Sequence, residues 1–214
     1  MKLKSFGCSF IYGNELSDTN SPDVYSKLTW PALLAKHFDY DYECYAQAGR
    51  GNLFILENII SQVNLLNDES AFFAINWTWA DRFDYTQAVN DKWTSILPVH
   101  KSEVASVYYR EIHSQYRDKL STLSYIKLAA DILEQNNLPY IMTNMESHVF
   151  EERWHQSEAT KFLQRAIKDK ITTFDGLNFL DWSRKNGYPV SKLWHPLDQA
   201  HRAASEFLIN KVNS

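Results

Sequence analysis

Short apolar runs and longer amphipathic ones take turns along this chain. Leu3 to Cys8 is short, apolar and followed at once by small residues, so it reads as a buried first strand. Trp30 to Phe38 places Trp30, Leu33, Leu34 and Phe38 at helical spacing, with Pro31 suited to a first turn. Tyr40 to Tyr45 alternates aromatic and acidic residues and predicts a second strand. Asn52 to Leu66 carries Leu53, Leu56, Ile59, Ile60 and Val63 on one helical face. Ala71 to Ile75 (AFFAI) predicts a buried strand. Trp79 to Lys101 has no clean period and is rich in Asp, Trp and Tyr; long excursions of this kind in compact domains tend to be functional. Ser102 to Asn136 predicts a long helical stretch, broken near Leu120 to Ser124. Pro139 to Thr143 predicts another strand, and Trp154 to Lys168 a helix. Phe174 to Val190 favours neither type. Leu197 to Val212 closes the chain as an amphipathic helix, with Ala200, Ala203, Ala204, Phe207 and Leu208 on one side.

This alternation of strand and helix predicts a parallel sheet with helices on both faces. At 214 residues the chain suits one α/β domain, taken as residues 1–214 with an aromatic-rich excursion at about 77–101. Repeats and low-complexity segments are not apparent. The net charge of -4 is spread along the chain without a basic block, which argues against nucleic acid as a partner. The N-terminus MKLKSFGCSF is too polar for a signal sequence and no apolar run reaches membrane length, so a cytoplasmic protein is expected, or one packaged from a cytoplasm into a virion-like particle. Cys8 and Cys44 lack metal-like spacing and read as two buried thiols.

Sites in open parallel sheets form beyond the carboxyl ends of the strands. Gly7-Cys8-Ser9-Phe10-Ile11-Tyr12-Gly13 follows the first predicted strand, Ala46-Gln47-Ala48-Gly49-Arg50-Gly51-Asn52 the second, and Asn76-Trp77-Thr78 the third. Trp194-His195-Pro196-Leu197-Asp198 precedes the last helix. A hydroxyl, a glycine turn, polar donors and an imidazole are the inventory of acyl transfer. Serine needs a base to take its proton, and histidine is suited to that near neutral pH.

These four blocks resemble, in order and over nearly the whole chain, those of the SGNH (GDSL-like) hydrolases. The resemblance implies a three-layer α/β/α, flavodoxin-like fold. It implies Ser9 as nucleophile, with its own N–H and that of Gly49 as oxyanion donors. The block resembling Ala-x-x-Gly-x-Ser-Asn is met by Ala46, Gly49, Gly51 and Asn52, with Gly51 in the serine place. His195-Pro196 matches the final block, and Asp198 and His201 follow as in similar proteins. The chain departs from the family twice. In place of Gly-x-Asn-Asp stands Asn76-Trp77-Thr78, leaving Asn76 and Thr78 as alternative third donors. The acid three residues before the histidine is Lys192, so support for His195 falls to Asp198, Asp175 or Asp181, or to no acid at all. The implied reaction is hydrolysis of a small-molecule or glycan ester, removing a small O-acyl group from a carbohydrate, with no cofactor and no metal. A silent glycan-binding or structural module and an O-acyltransferase are the alternatives.

Each residue also has a plainer reading. Ser9 is a favoured helix cap, and His195 alone could be structural. Gly49 and Gly51 alone make a tight turn; a phosphate-cradling role would want a P-loop lysine, which is missing. His201 lies six residues after His195, which is not metal-ligand spacing. His148 and His155 read as surface residues. Arg82 clamps an anionic substrate or pairs with Asp81 or Asp84. The aromatic group Trp77, Trp79, Phe83, Tyr85 and Trp93 either lines the substrate site, as Trp194 beside the histidine would, or forms a satellite core. Asn52 is counted with the substrate-binding residues.

Overall fold

A computed structural model describes residues 1–19, 21, 23–66 and 70–212. β1 (Lys2–Phe6) lies between β2 (Asp41–Cys44) and β3 (Ala71–Trp77), and β6 (Tyr140–Asn144) flanks β3 on the far side. All three pairings are parallel, with Lys2 opposite Asp41 and Ala71, and Phe73 opposite Tyr140. Alternate side chains therefore feed two cores. Leu3, Phe72, Ala74 and Ile141 enter one of them, packed under α2 (Trp30–His37), α7 (Phe179–Lys185) and α8 (Asp198–Val212). Phe6, Phe73, Ile75, Trp77 and Met142 enter the other, under α3 (Asn52–Asn64) and α5 (Gln115–Gln135). The result is the three-layer α/β/α sandwich. Two further helices are α1 (Ser9–Tyr12), shortly after β1, and α6 (Glu158–Ile167), against α5. No helix among the described residues is long and apolar enough to cross a membrane.

Three expectations need correction. The Ser102–Asn136 stretch does break, but upstream of Leu120. A short helix α4 (Glu103–Val107) runs into a wider π-turn at Tyr108–Ile112, and α5 restarts after Ser114, whose hydroxyl accepts from the Arg117 N–H. α5 then passes unbroken through residues 120–124, where Ser124 folds its hydroxyl back onto the Leu120 carbonyl at 2.7 Å. Secondly, the helix expected from Trp154 starts only at Glu158, because Ser157 and Thr160 form a reciprocal capping box. Thirdly, the excursion has regular structure. β4 (Phe83–Thr86) and β5 (Trp93–Ile96) make an antiparallel hairpin, with Phe83 opposite Ile96. Ile96, Ala105 and Tyr108 form a small satellite core against Phe83 and Tyr85.

Asp84 anchors this hairpin to the main body. Its buried carboxylate accepts from the Gly51 N–H at 2.8 Å, the Phe54 N–H at 2.9 Å and Ser95 Oγ at 2.5 Å. The first turn of a helix leaves such N–H groups without intrahelical partners. Asp84 thus caps α3 from a distance of about thirty residues in sequence.

Candidate active site

The turns after β1, β2 and β3 and the loop before α8 meet at one edge of the sheet. Ser9 is the first residue of α1, separated from β1 by Gly7 and Cys8 alone. Its Oγ lies 3.7 Å from Cys8 Sγ. That thiol receives a hydrogen bond from Thr78 Oγ1 at 3.2 Å and reaches Met145 Sδ at 3.1 Å. Cys8 thereby ties the Ser9 turn to the ends of β3 and β6. Cys44 is likewise a free thiol, partly buried.

Ser9 opens a helix, so its N–H lacks an intrahelical acceptor. Among the described residues neither that N–H nor the Gly49 N–H has an acceptor at all. Gly49 has φ +78°, and a Cβ there would meet nothing within 4 Å, so glycine serves this turn through its backbone angle. Two residues on, Gly51 is needed for room: a Cβ would lie 2.7 Å from Asp84 Oδ2.

His195 sits in a tight loop. The Ser191 N–H donates to the His195 carbonyl at 2.9 Å, and Ser191 Oγ accepts from the Leu193 and His195 N–H groups at 3.1 and 3.2 Å. Between them Trp194 is held at φ +70°, a left-handed angle that is unfavourable for a bulky residue and needs surrounding structure to hold it. The imidazole meets the Phe10 ring edge to face at 5.7 Å between centroids, which puts it beside the residue that follows Ser9. Its Nδ1 is hydrogen-bonded to a carboxylate oxygen of Glu15, which also accepts from Ser191 Oγ at 2.6 Å. Burial disfavours the Glu15 charge, but the bonds from Ser191 and His195 outweigh it and hold its pKa below the ordinary value. With Nδ1 engaged, Nε2 is the nitrogen left to accept a proton. Among the described residues no hydrogen bond joins Ser9 to His195.

The remaining residues named from the sequence separate into neighbours of this centre and parts of the scaffold. Asp198 supports a different contact: its carboxylate takes the N–H of Ser17 at 3.1 Å and the Ser17 hydroxyl. The Asp175 carboxylate accepts from Trp182 Nε1, and the Asp181 carboxylate from Asn178 Nδ2. Lys192 is exposed. Asn52, expected at the substrate, is buried and clamps Thr78: its Oδ1 accepts from the Thr78 N–H at 2.9 Å, and its Nδ2 donates to the Thr78 carbonyl and Thr122. Asn76 donates its side chain to Thr143 on the adjacent strand, so of the two alternatives Thr78 is the one whose side chain is hydrogen-bonded to the Ser9 turn. Trp77 is also scaffold, fully buried under α3 and α5, because its strand position points to that face. Trp79 is half-buried against the opposite core. Trp194 is 52% exposed, with the Arg184 guanidinium 4.2 Å from its ring centre. Arg82 donates to the Arg50 carbonyl at 2.9 Å and, among the described residues, forms no ion pair with Asp81 or Asp84. His201 is buried, accepts from the Trp30 N–H at 3.1 Å, and is held neutral by burial at a pKa of about 3. Among the described residues no three His, Cys, Asp or Glu side chains are grouped to hold a metal ion.

Sequence reasoning missed Glu15. Its signal was available only as topology: it lies on the turn after α1, and such turns converge at the carboxyl edge of the sheet with the loop that carries His195.

A cleft of about 670 Å³ opens past the ends of β3 and β6, between Asp81, Tyr109, Asp118, Glu146 and Trp154. Glu146 accepts from the Ala80 N–H at 2.5 Å. Burial pushes its pKa up to about 7 against that bond, and the Asp81 charge adds to the rise. A carboxyl raised on folding loses stability as pH climbs from its unfolded value through about 7. Glu146→Gln is therefore expected to match wild type near pH 4 and to exceed it by up to about 3 kcal/mol above pH 8. Paired urea melts across that range check this. A difference that does not grow with pH would mean that Glu146 ionises normally.

No protein-family model matches the sequence, and no curated protein does. Solved structures do match it. The psychrotrophic esterase EstA from Pseudoalteromonas sp., in a structure inhibited by monoethylphosphonate, aligns over 99% of this chain and 96% of its own, with TM-score 0.54 and 10% identity. A G-D-S-L family lipolytic protein from Veillonella parvula aligns over 98% and 97%, with TM-score 0.54 and 13% identity. A carbohydrate esterase, whose active site is described as having divergent catalytic and non-catalytic binding functions, aligns over 100% of this chain and 68% of its own, with TM-score 0.52 and 17% identity. At such identities the likeness is one of architecture, and this chain carries a divergent version of the SGNH (GDSL-like) hydrolase fold.

Proposed function

We propose that this protein is a serine ester hydrolase that removes a small O-acyl group from a carbohydrate or a similar small molecule. The observation that carries the proposal is the His195 imidazole, with Nδ1 engaged and Nε2 left over, set against Phe10, the residue that follows a serine at the start of a helix. In this reaction His195 Nε2 takes the Ser9 proton while Oγ bonds to the ester carbon. The oxyanion is met by the Ser9 and Gly49 N–H groups and by Thr78, whose hydroxyl must turn from Cys8 to donate. Collapse breaks the ester C–O bond, with the proton passing from His195 to the leaving alcohol. Water, deprotonated by His195, then attacks the acyl-serine and releases the acid. Hydrogen bonds of this kind often tighten only when substrate binds, which accommodates the unjoined Ser9 and His195.

The carbohydrate part of the proposal draws on the carbohydrate esterase of similar fold, not on the aromatic excursion, since Trp77 is core. The same unjoined pair favours a second reading, a glycan-binding module that does no chemistry. Turnover of p-nitrophenyl acetate to butyrate, with fluorophosphonate labelling of Ser9, decides between them. Hydrolysis and labelling that both vanish in Ser9→Ala, at unchanged melting temperature, are the expected result. Turnover equal in wild type and Ser9→Ala, with no label, would favour the binding module.

A further inference from the structure

In SGNH-like chains the acid before the histidine has its place three residues upstream, where this chain has an exposed lysine, Lys192. We infer that Glu15, carried on the turn behind the nucleophile's own helix, is the positioning carboxylate for His195, and this rests on the hydrolase reading above.

The geometry supports it at three levels. First, one Glu15 oxygen holds both the imidazole Nδ1 and Ser191 Oγ, and Ser191 Oγ in turn receives the His195 and Leu193 N–H groups. The same carboxylate thus sets the ring and, through Ser191, the backbone that carries it. Secondly, Glu15 sits at φ +67°, a left-handed angle that a non-glycine residue adopts at a cost and that local contacts must hold. Thirdly, the two segments are braced again two and three residues further on. Glu15 takes a hydroxyl from Ser191, and Asp198 takes one from Ser17, so that serine and carboxylate change sides between the loops. This second brace is the physical reason Asp198 does not reach His195. Asp175 and Asp181 are bonded within their own turn and α7. A carboxylate on Nδ1 fixes the tautomer that leaves Nε2 basic and stabilises the imidazolium formed when Ser9 gives up its proton. The charge relationship is the same as in a Ser-His-acid triad, with the acid supplied from the serine side of the chain.

Glu15→Gln tests this directly, because glutamine can still accept both hydrogen bonds but brings no charge. The expected result is a fall in kcat of about 10²- to 10⁴-fold with KM changed less than about threefold, and partial recovery in Glu15→Asp. A readout independent of turnover is the His195 Nδ1 proton in NMR spectra of the whole protein. It should be strongly deshielded and slow to exchange in wild type and in Ser9→Ala, and lost or shifted upfield in Glu15→Gln. An unchanged Nδ1 signal and undiminished kcat in Glu15→Gln would overturn the assignment. A wild type that hydrolyses nothing, yet loses the signal only in Glu15→Gln, would count against hydrolysis and for the Glu15–His195 pairing.

Discussion

His195→Asn is expected to lower kcat/KM for any ester the protein hydrolyses by about 10⁴-fold or more, while the melting temperature stays within a few degrees of wild type. The size of the loss follows from the division of labour at the site. A serine hydroxyl near neutral pH is almost wholly protonated, so without a base the attack must expel a proton to water. In the proposed mechanism what survives is the stabilisation by the Ser9 and Gly49 N–H groups, and in comparable sites such donors retain a residual rate of about 10³-fold over water. The fold should tolerate the change, because the loop around His195 closes through backbone bonds: Ser191 N–H to the His195 carbonyl, Leu197 N–H to the Pro189 carbonyl, and the bridge between Val190 and Pro196. The imidazole itself lies at the surface of the core rather than within it. Steady-state kinetics beside a thermal melt provide the check. Activity within tenfold of wild type would remove His195 from the mechanism and send the search for a base elsewhere.

The largest loss of stability is expected at Asp84. Asp84→Ala strips acceptors from two backbone N–H groups at the start of α3 and from Ser95, where the carboxylate that served them is buried. A buried donor left unsatisfied costs about 1–3 kcal/mol, so a loss of about 3–5 kcal/mol is expected in urea unfolding. The same contact makes a family-like residue unwelcome nearby. In the Ala-x-x-Gly-x-Ser-Asn block that residues 46–52 resemble, Gly51 stands in the serine place, and a serine Cβ here would lie 2.7–2.9 Å from three atoms of the Asp84 carboxylate. That carboxylate is pinned by its own hydrogen bonds and cannot swing aside, so Gly51→Ser should cost about 1–3 kcal/mol. Combined with Asp84→Ala, most of the Gly51→Ser cost should disappear, since the obstructing atoms are gone. Full additivity in that double-mutant cycle would show that Gly51 is needed for some other reason. Because Gly49 sits on the same turn, the proposed mechanism expects Asp84→Ala also to slow hydrolysis, the proposed oxyanion donor being no longer held still.

The elements that could be read from the chain were those with an unambiguous period. Ala71–Trp77 is a near-continuous apolar run because helices cover both sides of a parallel sheet, and Lys2–Phe6 sends Leu3 to one core and Phe6 to the other. α3 and α8 show a one-sided stripe. The hairpin at β4 and β5 was not legible, because strands of four residues give too few positions to establish alternation and Asp84 faces inward. Nor was the restart of α5 at Ser114, since its helical period continues on either side and only the capping hydroxyl marks the break.

The division within the candidate site is similar. Ser9, Gly49 and His195 could be named because each belongs to a short block placed at a strand end, and local sequence dictates local geometry there. Whether Asn52 and Trp77 meet substrate or scaffold was decided by tertiary structure. Asn52 is consumed by Thr78 and Thr122, and Trp77 by the core beneath α3. The carboxylate on His195 lies furthest from anything the linear chain displays. Glu15 and His195 are 180 positions apart, and the turn that carries one reaches the loop that carries the other only once β1 is inserted in the sheet and α8 has packed on α2. By itself the sequence determined the layer architecture and the nucleophile and imidazole candidates, because periodicity and strand-end position are local properties. Only the folded chain decided which acid faces the imidazole and which polar residues are spent on structure, because those choices depend on which partner is closest in space.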